Sequence, residues 1–193
     1  MTGLIFLLNN YFIFYVSLII FVVVNRIGEL DRNPSHYWEP RAAVIKPYVL
    51  ETTVAPYGIQ IQLTPTMHGA ILQVTFPSKN LYNTMDKHIC FTSAEDQNQG
   101  NNKITGRSTQ VHHDRMLITN FNLYIHIESP EAVRTIEGND MHCFRYGHQA
   151  TVVTVKMATS LISREQAQLN YNTEVGSKSY IEVYANAKSI WHK

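Results

Sequence analysis

From Leu4 to Val24 the chain reads LIFLLNNYFIFYVSLIIFVVV, with no charged side chain. No other feature constrains the fold as strongly, because so long an apolar run must be hidden from water somewhere. As an α-helix it would rise roughly 31 Å, the hydrocarbon thickness of a bilayer. Asn9, Asn10 and Ser17 interrupt it at neither period 3.6 nor period 2, so it does not read as an amphipathic element. A secretory signal would carry Lys or Arg before the run and small residues at a cleavage site after it. Here Met-Thr-Gly precedes it and Asn-Arg-Ile-Gly-Glu follows. The expectation is an uncleaved N-terminal transmembrane helix, a membrane anchor over 1–27, with a cleaved signal and a buried core element as the alternatives.

Orientation follows from basic residues near the span. None precedes it, whereas Arg26, Arg32, Arg41 and Lys46 follow. The positive-inside rule then places the C-terminal domain on the cytoplasmic or interior side of a single-pass membrane protein. No asparagine lies in an acceptable glycosylation sequon, since Asn33-Pro34-Ser35 is blocked by proline. Residues 28–43, GELDRNPSHYWEPRAA, are rich in turn formers and charge and read as a juxtamembrane linker.

Beyond the linker the pattern changes to short alternating runs. GIQIQL sets Ile59, Ile61 and Leu63 against two glutamines; NFNLYIHIES sets Leu123, Ile125 and Ile127 against Asn122, Tyr124 and His126. SYIEVYAN alternates in the same way, and weaker runs lie at 44–53, 70–76, 88–93, 151–161 and 166–172. Period two over six to eight residues marks a half-buried strand. Turn signals separate the runs, among them Ala55-Pro56-Tyr57-Gly58 and Glu137-Gly138-Asn139-Asp140. Many short strands without long helices between them predict an all-β chain, an antiparallel β-sandwich or jelly-roll-like domain over 44–193. A short helix at Ser163–Gln166 is the one exception suggested, by its capping-box spacing. Residues 94–115 are strongly polar and read as a long loop. Their candidate contact residues are Asn98, Asn101, Lys103, Arg107, His112 and His113.

The chemistry-bearing residues are few. Cys90 and Cys143 read either as free core thiols or as a disulfide, and a disulfide would argue against a reducing compartment and hence against the interior orientation. Two metal constellations are conceivable: His88, Cys90, His142 and Cys143 as a Cys2His2 set, or His112, His113 and Asp114. Neither has the C-x2-4-C and H-x3-5-H spacing of zinc sites. The sequence has no nucleophile elbow, phosphate-binding loop, dinucleotide fingerprint or H-E-x-x-H motif. The carboxylates Glu128/Glu131 and Glu137/Asp140 sit beside turn residues. A net charge of +1 with scattered basic residues excludes a nucleic-acid-binding stripe.

These observations predict a non-enzymatic, membrane-anchored structural or binding protein with no catalytic, cofactor or metal residues. Its partners would be the lipid bilayer and other proteins of a membrane-associated assembly, in a homo- or hetero-oligomer. The layout resembles small envelope proteins of large DNA viruses and accessory subunits of membrane complexes, in architecture only. A membrane-tethered metal-dependent hydrolase using the histidine clusters, and a secreted β-sandwich binding module, are the alternatives.

Overall fold

The computed structural model describes residues 3–7, 19–25, 37–38, 43–55, 58–77, 86–92, 95–98, 100–108, 111–113, 116–118, 122–138 and 141–191. Their strands all pair antiparallel, and the few helices lie near residue 191, so the chain is an all-β protein.

The described parts of the apolar opening are strands, not the expected transmembrane helix. Gly3–Leu7 is strand β1 and Ile19–Asn25 is β2, paired with each other. The second of these then pairs with β8, Asp86–Thr92. Ile, Phe and Val make up all of β2 but Asn25, and β1 holds Ile and Phe between two leucines; β-branched and aromatic side chains suit an extended backbone whose hydrogen bonds go to neighbouring strands. Among the described residues, no helix is long and apolar enough to cross a membrane. The residues between the two strands, and 28–36 of the expected linker, lie outside the described residues.

Two large sheets result. One has five strands in the order β1-β2-β8-β15-β14, where β14 is Ala132–Gly138 and β15 is Met141–Tyr146. The other has the path β3-β5-β6-β7-β16-β13-β10-β9, with β4 attached to β5. Its members are β3 (Tyr37–Trp38), β4 (Val44–Lys46), β5 (Val49–Ala55), β6 (Ile59–Pro65), β7 (Gly69–Thr75), β9 (Glu95–Asn98), β10 (Lys103–Ser108), β13 (Leu123–Glu128) and β16 (Val152–Ser160). A separate two-stranded ribbon joins β11 (Val111–His113) to β12 (Met116–Ile118).

One buried cluster draws on both large sheets. Ile59, Ile61, Leu63, Leu72, Val74, Ile125, Ile127, Val153 and Val155 come from one, and Ile89, Phe91, Phe144 and Tyr146 from the other. These are the alternate positions that period two singles out. Phe91 and Phe144 meet edge to face at 6.0 Å between centroids.

Two segments read as strands are helices. Arg164–Tyr171 forms α1, continued by a π-helical turn over Asn172–Gly176, and Tyr180–Trp191 forms α2. The Ser163 hydroxyl accepts from the Gln166 amide at 3.1 Å, so the capping-box spacing there does start a helix, one that runs on through 171. At α2 a full capping box is present. The Ser179 amide donates to Glu182 Oε2 at 2.7 Å and the Glu182 amide to Ser179 Oγ at 3.3 Å. The buried residues of α2 are Val183 and Ala187, with Tyr180 and Tyr184 half-buried beside them; that is helical spacing, not period two. The helices lie on the second face of the large sheet, α1 on β13 and β16, α2 on β6 and β7. There Ile71, Ala158, Tyr171, Val175 and Val183 form a smaller apolar cluster.

The long loop expected at 94–115 is also corrected. It contains β9 and β10, which pair with each other, and β11. Gly100 at φ +128° stands in the turn between β9 and β10, a backbone conformation open to glycine.

Gly69 marks the tightest backbone approach between β7 and β16. A Cβ there would lie 2.3 Å from the Met157 carbonyl oxygen. Gly69→Ala should therefore force the two central strands apart and cost about 1–3 kcal/mol, the usual penalty of overpacking, measurable by urea unfolding.

Cys90 and Cys143 stand opposite each other on β8 and β15 and are bonded, fully buried. With a sequence separation of 53, the chain-entropy contribution of this crosslink is about 4 kcal/mol. The double variant C90A/C143A should lose most of that in denaturant unfolding. Equal stability of oxidised and reduced wild-type protein would contradict it.

Candidate functional site

The polar groups best organised for chemistry lie where α1 crosses the large sheet. On β13, the residues alternating with the core positions face the helices. One of them, His126, is only 2% exposed. Its Nε2 lies 2.8 Å from Glu128 Oε1, and the Tyr171 hydroxyl donates to Glu128 Oε2 at 3.0 Å. The imidazole lies against the Tyr171 ring, tilted by 34° with centroids 4.5 Å apart. Register sets Lys103 of β10 and Lys156 of β16 directly opposite Glu128, one on each side. The Lys156 ammonium donates to the Gly176 carbonyl at 2.7 Å, tying the π-helical turn to the sheet.

Electrostatics follow from this burial. Desolvation pushes the His126 pKa down; the hydrogen bond to Glu128 opposes that and the Lys103 charge reinforces it. The imidazole is therefore held neutral, with Nε2–H as donor to the carboxyl group. Burial, and then the Glu128 charge, push the Tyr171 phenol upward, so it too remains a neutral donor. Glu128, whose side chain is 31% exposed, is thus gripped at both oxygens and aimed.

A second carboxylate–histidine contact lies along the same seam. Glu174 of the π-helical turn accepts from the His68 amide at 2.9 Å and meets His68 Nδ1. Burial works to raise the Glu174 pKa, but the nearby Thr66 hydroxyl and the hydrogen bonds with His68 prevail and hold it below the usual carboxylate range. The seam is completed by Asn170 Nδ2, which donates to the Thr159 carbonyl at 2.8 Å.

The residues singled out from sequence fall elsewhere. Asn101 is exposed in the β9–β10 turn, and Lys103 and Arg107 are half-buried on β10. Asn98 pairs with Ile104, His112 with Leu117 and His113 with Met116, so the six do not share one loop. Asp114 lies outside the described residues. The Cys2His2 set is ruled out by geometry: both sulfurs are consumed in the disulfide, and His142 pairs with Phe91 rather than sharing the cysteines' face. Among the described residues no three His, Cys, Asp or Glu side chains gather to hold a metal ion. Of the paired carboxylates, Glu131 accepts from the Thr154 amide at 3.1 Å and Glu128 serves the seam.

Sequence reasoning missed His126, Tyr171, His68 and Glu174 because it read the second sheet face as solvated. The Ser179-x-x-Glu182 spacing was the signal that helices cover it. It also missed Lys87, 1% exposed, whose ammonium donates to the His148 and Ala150 carbonyls at 2.7 and 2.6 Å beneath the Phe76 ring. Desolvation pushes that amine's pKa down.

The fold is shared with glycoside hydrolases. The family GH92 inverting mannosidase BT2199 from Bacteroides thetaiotaomicron superposes with a TM-score of 0.71 at 19% identity, over 91% of this chain and 26% of that one. The GH92 α-mannosidase BT3965 from the same organism gives 0.65 at 15% identity, over 89% and 27%. The GH92 glycosyl hydrolase ccman5 gives 0.66 at 11% identity, over 90% and 27%. This chain thus spans about a quarter of the length of these enzymes. No family model and no curated protein matches the sequence.

These likenesses correct the expectation of a non-enzymatic, membrane-anchored structural protein of an envelope or membrane complex. The fold is one found in glycosidases, and the segment expected to anchor it contributes strands. Of the metal hydrolase's two ligand sets, the Cys2His2 one cannot assemble because both sulfurs are in the disulfide, and Asp114 of the other lies outside the described residues.

Removing the acceptor at the seam should cost more than removing one donor. Tyr171→Phe loses one hydrogen bond and should cost about 1 kcal/mol, whereas Glu128→Ala strands two buried donors and should cost about 2–3 kcal/mol. Urea unfolding of the two variants checks the order.

Proposed function

We propose that the chain is the β-sandwich module of a mannosidase-like glycoside hydrolase, which hydrolyses α-mannosides together with further polypeptide. The observation that carries the reading is the match of nine-tenths of this chain to a GH92 mannosidase. The sandwich arrangement is supported by the single cluster that draws on both sheets. The need for further polypeptide is supported by the share of those enzymes that the chain spans. Glycoside hydrolysis by the common route uses two carboxyl groups flanking the scissile bond. Within the seam, Glu128 and Glu174 are each committed to histidine, so the module's part is to build and brace a site rather than to supply both groups.

The buried disulfide favours an oxidising compartment, where extracellular glycans are met, over the interior-facing orientation.

Native isolation of the tagged chain should bring with it activity on aryl α-mannosides. A panel of α-mannosides and other glycosides that shows no turnover by such material overturns the reading.

A further inference from the structure

The helical segment 164–176 is joined to the large sheet largely by polar contacts, two of them between a histidine and a carboxylate. His126 and Tyr171 converge on Glu128, His68 meets Glu174, Lys156 reaches Gly176, and Asn170 reaches Thr159. The apolar part of the seam is small: Ile71 and Ala158 from the sheet, Tyr171 and Val175 from the segment, Val183 from α2. The segment also changes from α to π geometry at Asn172, an irregularity that recurs at functional sites.

We propose that this segment is an acid-released cap, held on the sheet by the neutral imidazole of His126 and loosened when that ring takes up a proton. The groups facing His126 are Glu128 on its own strand, Lys103 from β10, Lys156 from β16 and the Tyr171 phenol from α1. A proton on the ring places a charge at a site 2% exposed, with a lysine on each neighbouring strand, and Glu128 is the one anion facing it. The Glu128 carboxyl already accepts from Tyr171, so it cannot turn wholly to the imidazolium.

The folded-state pKa of His126 is lowered, so the unfolded or undocked chain binds the proton more readily. Docking is therefore at full strength above the unfolded value of about 6.5 and is lost as pH falls below it. Glu174 has a lowered carboxyl pKa, so its bond to His68 survives that window and fails only at stronger acidity. The cap thus has one release in acid below the ordinary imidazole range, at His126, and a later one, in stronger acid, at Glu174.

Hydrogen exchange of the full chain, corrected for intrinsic rates, tests this between pH 7.5 and 5.0. Protection of amides in 164–176 should fall about tenfold while β7, β13 and β16 keep theirs, and His126→Gln should abolish the pH dependence. Unchanged protection in the wild type, an equal fall in H126Q, or simultaneous loss from the sheet overturns the proposal. Should H126Q not fold, an NMR titration of His126 in the wild type decides. A midpoint below 6.5 that coincides with loss of protection supports the cap; titration with protection intact refutes it.

Discussion

Burial of β7, β16 and β13 on both faces is the constraint on which the rest of the structure depends. Alternate residues of these strands fill the large core, and the residues between them lie under the helices. The core side supplies most of the energy: each fully buried Ile, Val or Leu contributes about 1.5–3 kcal/mol, against about 1 kcal/mol net for a hydrogen bond. The helix side supplies position instead. Four of its buried polar groups find partners, His126 and Tyr171 on Glu128, Asn170 on the Thr159 carbonyl and Thr64 on the Tyr48 carbonyl, whereas the Tyr180 hydroxyl of α2 has none among the described residues. Orphaning any of the four costs more than making its bond gains, so together they favour the observed docking of α1.

The five-stranded sheet is held differently. Cys90 and Cys143 crosslink its middle strands, and Lys87 fastens the turn between β15 and β16 by two carbonyls. An ammonium with carbonyl partners and an aromatic face pays a desolvation cost that a hydrophobic residue would avoid. What it adds is the positioning of the Gly147–Ala150 turn, which feeds the central strand β16. Alternation sets Lys87 on the core face of β8 with Ile89 and Phe91, and the crosslink on the other face of the sheet.

The two layers account for why a fold known from mannosidases carries, in this chain, its best-organised polar cluster between helix and sheet. Glu128 is immobilised by two neutral donors, and such a carboxylate is braced to hold geometry. The proposed role as a module of a larger glycosidase places the catalytic demand on polypeptide beyond the described strands. The acid-released cap adds a means of altering the helix side without disturbing the core.

Much of the sheet was legible in the sequence. Ile59, Ile61 and Leu63, then Leu123, Ile125 and Ile127, alternate because one face of each strand must be dry, and that need is local to the strand. The helices were not legible in the same way: SYIEVYANA satisfies period two as well as the 180, 183, 184, 187 spacing that the structure uses. Which period operates depended on a sheet face elsewhere that needed covering. The opening run had the same ambiguity, apolar throughout and so without any period to separate helix from strand. The site lay beyond local reading because His126, Glu128 and Tyr171 meet only once α1 folds back over β13. By itself the sequence determined the alternating strands, their turns and the all-β class, since these follow from which side chains each short segment hides. Tertiary structure alone decided that the second face is roofed by helices, that Cys90 meets Cys143, and that a histidine on a seemingly polar face is buried, because each depends on partners far apart along the chain.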